Sequence, residues 1–161
     1  MRSDRYYIDT HILYFYAAKK KDELTAEIWD ILDYGCCHIY ISSACVEELI
    51  LLRQTGKLGD DVWDSAEEII DFIKGMNIKI KWVDDGHLRK LAEIPIIKDY
   101  TGKADHKDNT DRIAIAQAIR EGIAMISSDR DFPGYIPHGL DLIFNKRGRY
   151  TPPDLRGVAR K

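Results

Sequence analysis

The stretch HKDNTDRIAIAQAIREGIAMISSDRDF, His106 to Phe132, sets Asp108, Asp111, Asp129 and Asp131 around two apolar runs. An isolated carboxylate is costly to remove from water. Acids beside segments with a buried pattern are therefore solvated, capping a helix, paired, or holding a cation. Two further acids stand in comparable places. Asp9 directly follows the β-favouring run Tyr6 to Ile8, and Glu48 lies in SACVEELILLR, just after the run HIYIS.

Each acid has a structural explanation when taken alone. Asp9 before HILYFYAA and Asp108 before DRIAIAQAIREG are favoured helix N-caps, and Asp111 in a first turn suits the helix dipole. Asp129 and Asp131 in SSDRDFPG suit a turn that bonds its own backbone. Glu47 and Glu48 are adjacent, and successive helical residues point about 100° apart, so one can face solvent while the other faces a sheet edge. Together they are harder to dismiss. Asp9, Glu48 and Asp129 all follow strands, and Asp111 opens the helix that leads into the Asp129 strand, so the four can meet at one sheet edge. Carboxylates so close repel and raise one another's pKa, a conflict that a divalent cation removes. Oxygen donors without a His or Cys cluster suit Mg²⁺ or Mn²⁺ better than zinc.

The elements that must position these acids follow from periodicity. YYI, HIYIS, IKIKWV, IAMIS and LDLIF read as strands, separated by helical patterns in HILYFYAA, LTAEIWDILDYG, SACVEELILLR, DDVWDSAEEIIDFIKG, DDGHLRKLAEI and DRIAIAQAIREG. The order β-α-α-β-α-α-β-α-α-β-β predicts a mainly parallel sheet with helices on both faces, a three-layer α/β/α sandwich. Sites in such sheets form beyond the carboxyl ends of the strands, where the acids fall.

Composition narrows the alternatives. A chain of 161 residues without repeats or a long linker is expected to form one domain over 1–145, with a basic extension over 146–161. That extension carries net +5, against −8 for the rest of the chain, and is a candidate contact for a polyanion. Cys36, Cys37 and Cys45 have neither disulfide nor zinc-site spacing and are expected to be reduced thiols. No apolar run reaches the roughly 18 residues of a membrane span, and MRSDRYYIDT is too short and acidic for a signal peptide, so a cytoplasmic protein is expected. His11, His38, His87, His106 and His138 fall in no HExxH or HxxxH spacing. There is no GxSxG, no P-loop, and no GxGxxG after a strand.

YYIDTHILYFY, ISSACVEEL and above all HKDNTDRIAIAQAIREGIAMISSDRDF resemble the PIN domain family, and within it the VapC-like toxins of toxin-antitoxin pairs. The last block follows the family's order of HrDPfDR, an apolar helix, and an apolar strand ending in T-x-D-x-x-F. Asn109-Thr110 stands where the family has Pro-Phe, and Ser127 where Thr is commoner. The resemblance covers roughly residues 6 to 144. It implies Asp9, Glu48, Asp111 and Asp129 as catalytic metal ligands, with Thr10, Asp108, Arg112, Ser127 and Asp131 around them.

The activity implied is hydrolysis of RNA phosphodiesters with one or two Mg²⁺ or Mn²⁺ ions. A family toxin is normally held by a protein antitoxin and often forms a homodimer. Lys98, Lys103, Lys107, Arg130 and the tail are candidate phosphate contacts on charge grounds. Two rivals stand beside this reading. A receiver-like signalling domain expects paired acids after the first strand, where YYIDT offers one. A non-catalytic RNA-binding or scaffold protein of the same fold expects a missing acid, and none is missing.

Overall fold

The computed structural model describes residues 4–59 and 62–153. Five strands, β1 (Arg5–Ile8), β2 (His38–Ser42), β3 (Lys79–Lys81), β4 (Ala124–Ser127) and β5 (Leu142–Phe144), form one sheet in the order β3-β2-β1-β4-β5. All four pairings are parallel. Tyr7 and Ile8 are both fully buried, and neighbours in a strand point to opposite faces, so β1 is covered on both sides. The four residues of β4 are likewise all buried.

The covering helices are α1 (Thr10–Ala17), α2 (Ala26–Asp33), α3 (Ser43–Gln54), α4 (Glu67–Gly75), α5 (Asp85–Glu93) and α6 (Asn109–Glu121). This is the α/β sandwich expected from the alternation of strand and helix patterns. Helix α6 is buried nearly all round, from Ile113 through Ala118, because alternating Ile and Ala side chains let neighbouring elements approach it closely. It ends at Gly122, whose φ of 64° is the left-handed conformation that glycine adopts without strain.

Three differences from the sequence reading have local causes. The helix expected to begin at Asp60 begins at Glu67, because Trp63 turns into the core and Arg53 binds the carbonyls of Trp63 and Asp64 at 2.9 Å each. The strand read over IKIKWV is three residues long, and Trp82 beyond it is 74% exposed. Between β4 and β5 the chain forms 3-10 turns over Phe132–His138, where two prolines disfavour an α-helix and Phe132 and Tyr135 fill the core. Of the basic extension, residues 146–153 are described and 154–161 lie outside the described residues.

The sheet order positions the site. From β1 the chain adds β2 and β3 to one side, then crosses to add β4 and β5 to the other. The reversal lies between β1 and β4, and a crevice opens beyond their carboxyl ends at such a point.

Candidate active site

Register brings the strand ends level. Ile8 pairs with Ile41 on one side and Ile126 on the other, so Asp9, the start of α3 and the turn after β4 sit side by side. The backbone N–H of Asp9 donates to the Ile126 carbonyl at 3.3 Å, which carries the alignment one residue past the strand.

The Asp9 carboxylate is both a cap and a site group. One oxygen accepts from the Ile12 backbone N–H at 3.0 Å, as an N-cap does, and the other accepts from the Ser127 hydroxyl. Ser127 Oγ also accepts from the Asp129 backbone N–H at 3.0 Å, so one hydroxyl ties the two acids together across the crevice. Asp129 in turn accepts from the Asp131 backbone N–H at 2.8 Å. On α3, Glu47 is exposed, whereas Glu48 turns inward and accepts from Thr10 Oγ1 at 3.3 Å.

Asp108 caps α6 by accepting from the Asp111 N–H at 2.9 Å, which fixes the first turn that carries Asp111. Asp131 accepts from the Tyr100 backbone N–H at 2.7 Å. Arg112 turns away from the acids, donating to the Ile94 carbonyl at 3.0 Å and to Tyr135. It braces α6 against the end of α5. Asp9, Glu48, Asp111 and Asp129 thus stand at one end of the sheet, close enough for Asp111 to feel the charges of Asp9 and Asp129, with Thr10, Ser127, Asp108 and Asp131 beside them, while Arg112 turns to Ile94 and Tyr135.

His106 joins the site without having been singled out by spacing. It is buried, with Nε2 at 3.3 Å from Asp111 and 3.7 Å from Asp131, and Nδ1 at 2.6 Å from the Tyr135 hydroxyl. These acids raise its pKa, chiefly through the Asp111 hydrogen bond. Its place at the head of the Asp108 to Arg112 block was the available signal.

Electrostatics set these carboxylates apart from ordinary surface acids. Burial pushes Asp9 up to about 6, against the pull of its Ser127 and Ile12 hydrogen bonds, with Asp129 adding repulsion. Burial likewise pushes Asp111 up to about 7, helped by Asp129, Asp108 and Asp9 and opposed by His106. Asp129 and Glu48 are also raised by burial, and Asp108 adds repulsion to both. Cys45 is buried close by, hydrogen-bonded to Thr10, and its thiol is pushed well above the usual range.

Four desolvated oxygen donors at a switch point form a set that suits a hard divalent cation. Among the described residues, no three His, Cys, Asp or Glu side chains already converge as a ready-made metal site. By its chemistry, four carboxylates without a His or Cys cluster, the donor set fits such an ion.

Beside Asp9 and Asp129 lies a cleft of about 270 Å³, lined also by His11, Tyr100, Ser128, Arg130 and Arg147. Arg130 is exposed there. Lys103 and Lys107 are exposed nearby in sequence, and Lys98 is paired with Asp105 at 2.7 Å.

The PIN domain model matches residues 6–135, which includes all four acids. The chain belongs to the PIN domain family. PIN domains are in general nucleases that use divalent metals. Among solved structures, this PIN domain is similar to a chain of the VapBC2 complex of Rickettsia felis bound to a promoter DNA fragment. The TM-score is 0.63 at 18% identity, covering 88% of this chain and 99% of that one. It is similar to a chain of the FitAB complex bound to the IR36 DNA fragment, with TM-score 0.59, 15% identity and coverage of 90% and 99%. A chain of a toxin-antitoxin complex from Klebsiella pneumoniae gives TM-score 0.57 at 14% identity, with coverage of 88% and 98%. At these identities the shared feature is the fold. No curated protein matches the chain by sequence. No helix among the described residues is long and apolar enough to cross a membrane.

Proposed function

We propose that this PIN domain is a divalent-metal-dependent endoribonuclease and the toxin of a toxin-antitoxin pair. The observation that carries the reading is the crevice of Asp9, Glu48, Asp111 and Asp129, each buried enough to raise its pKa, at the switch point of the family's fold.

In this reading the four carboxylates hold Mg²⁺ or Mn²⁺, with Ser127 orienting Asp9 and the Asp129 backbone, and Thr10 orienting Glu48. The bound ion supplies activation of a water and neutralisation of charge at the phosphodiester. His106 contacts Asp111 at 3.3 Å and holds it in place. Without an ion the crevice repels a polyanion, so metal governs RNA binding as well as hydrolysis. The antitoxin reading draws on the complexes in which similar folds occur; a small protein covering the acidic crevice is the expected partner, and a homodimer the expected assembly.

The test is cleavage of an end-labelled RNA pool in Mg²⁺, in Mn²⁺ and in EDTA, with wild type beside Asp111→Asn. Metal-dependent cleavage that is absent in Asp111→Asn supports the reading. Cleavage that persists in EDTA, or in the variant, overturns it. A second reading is an RNA-binding protein of the same fold without turnover. Folded wild type that binds RNA and cuts none of it under either metal favours that second reading.

A further inference from the structure

The cleft beside the acids has a construction that catalysis by carboxylates does not require. Its outer wall is Tyr100, which keeps 55% of its surface exposed. An exposed tyrosine on a mobile loop would carry little meaning, but this loop is braced. Lys98 and Asp105 pair in an antiparallel bridge as well as by charge, and the His106 N–H donates to the Ile97 carbonyl at 2.7 Å. Within the loop Asp99 accepts from the N–H and the hydroxyl of Thr101, at 3.0 and 2.6 Å. The Tyr100 N–H is held by Asp131, which also faces His106. The backbone that carries the ring is therefore tied to the acids, and the ring itself packs edge-on against Tyr150 at 6.5 Å.

Two arginines complete the wall. The Arg130 guanidinium lies 5.5 Å from the Tyr100 ring centre and 4.8 Å from that of Tyr150. Arg147 lies 4.6 Å from the Phe15 ring and is tied by Nε to Glu23 at 2.5 Å. Stacking uses the face of a guanidinium and leaves edge N–H groups for an anion. Cationic edges, an exposed aromatic ring on a hydrogen-bonded loop and a small cleft opening onto carboxylates form the combination that binds a single-stranded nucleic acid: rings stack bases while cations follow the backbone.

We propose that this cleft is a subsite for one unpaired nucleotide of the RNA, its base stacked on Tyr100 and its phosphate held by Arg130 and Arg147. The proposal rests on the RNA reading of the four-acid crevice and adds a preference for a nucleotide free of pairing next to the cut. A volume of about 270 Å³ is small against the roughly 300–1,000 Å³ of ordinary ligand pockets and suits one nucleotide. A paired base cannot offer its face to the ring, so duplex RNA gains the arginine contacts and loses the stack.

The probe is a fluorescein-labelled ten-nucleotide RNA of mixed sequence, used single-stranded and annealed to its complement. Binding is followed by anisotropy in Mg²⁺ with Asp111→Asn as the parent, so that the probe survives. Added Tyr100→Ala is expected to weaken single-strand binding by roughly 5- to 100-fold, the worth of one base-aromatic stack, and to leave duplex binding unchanged. Tyr100→Phe keeps the ring and is expected to stay within about twofold of the parent. Arg147→Ala is expected to weaken both probes and to lower the salt dependence by about one charge.

Equal binding by Tyr100→Ala, or equal losses on both probes, would overturn the subsite. Cleavage by wild type with no effect of Tyr100 removes the subsite and leaves the nuclease. Tyr100-dependent binding without metal-dependent cleavage removes the nuclease and leaves the subsite.

Discussion

Removing a charge from the acidic crevice should stabilise the metal-free protein. Asp111 has a pKa of about 7 in the folded chain against an ordinary value of 3.8. Between those values the folded state binds a proton that the unfolded state does not, so stability falls as pH rises from about 4 to 7 and stays at its lowest above that range. Each unit is worth about 1.4 kcal/mol, and the full shift would give about 4 kcal/mol. Asp9, Asp111 and Asp129 share one repulsion, Asp111 keeps some contact with water, and His106 loses a charged partner in the variant. A net gain of about 1–2 kcal/mol for Asp111→Asn above pH 7 is the expected size. In a chain of 161 residues this raises the melting temperature by roughly 2–8 °C.

Thermal melts followed by circular dichroism in EDTA, at pH 7.5 and again near pH 4, provide the assay. The variant should melt above wild type at pH 7.5, and the difference should vanish near pH 4, where Asp111 is largely protonated in the folded wild type. Adding Mn²⁺ at pH 7.5 should stabilise wild type more than the variant. A variant no more stable than wild type at pH 7.5, or a difference independent of pH, would refute the claim that desolvated, repelling carboxylates strain the crevice.

Other expectations follow from neighbouring residues. Glu48→Gln should reduce Mn²⁺ affinity by about tenfold or more, as loss of a charged ligand does, whereas Glu47→Gln should leave it unchanged in calorimetric titration. Ser127→Ala removes the hydroxyl that ties Asp9 to the Asp129 backbone and should cost roughly 10- to 100-fold in Mn²⁺ affinity, with the far-ultraviolet spectrum unchanged. Gly122→Ala meets no steric contact but must hold φ near 64°, so it should lower stability by about 1–2 kcal/mol in urea unfolding. A thiol reagent applied to native protein should label exposed Cys36 first and buried Cys45 only on unfolding.

Much of this arrangement is legible in the sequence because local rules and the fold agree. YYI followed by Asp-Thr reads as a strand entering a helix, and Asp9 is indeed the N-cap of α1. The same carboxylate also faces the crevice, so the cap and site readings were never exclusive. Glu48 follows from helical geometry once one face of α3 meets the sheet edge. What stayed hidden depends on contacts distant in sequence. No ligand spacing announces His106, because its partner Tyr135 is 29 residues away and lies in 3-10 turns that periodicity does not reveal. Arg112 neighbours an acid in sequence, yet α6 directs it to Ile94 and Tyr135. The braced loop carrying Tyr100 falls in a segment without any diagnostic pattern. Its hydrogen bonds and ion pair come from Asp99, Asp105 and Asp131, acids that composition alone counts as surface charge.

The most direct test of the four-acid centre is a crystal of wild type grown or soaked in Mn²⁺, with anomalous data collected at the manganese edge. The account predicts a peak in the crevice with oxygens of Asp9 and Asp129 among its ligands at about 2.0–2.3 Å, and with Glu48 and Asp111 drawn in around it. No peak there at a Mn²⁺ concentration that supports RNA cleavage, or a peak held by other residues, would contradict it.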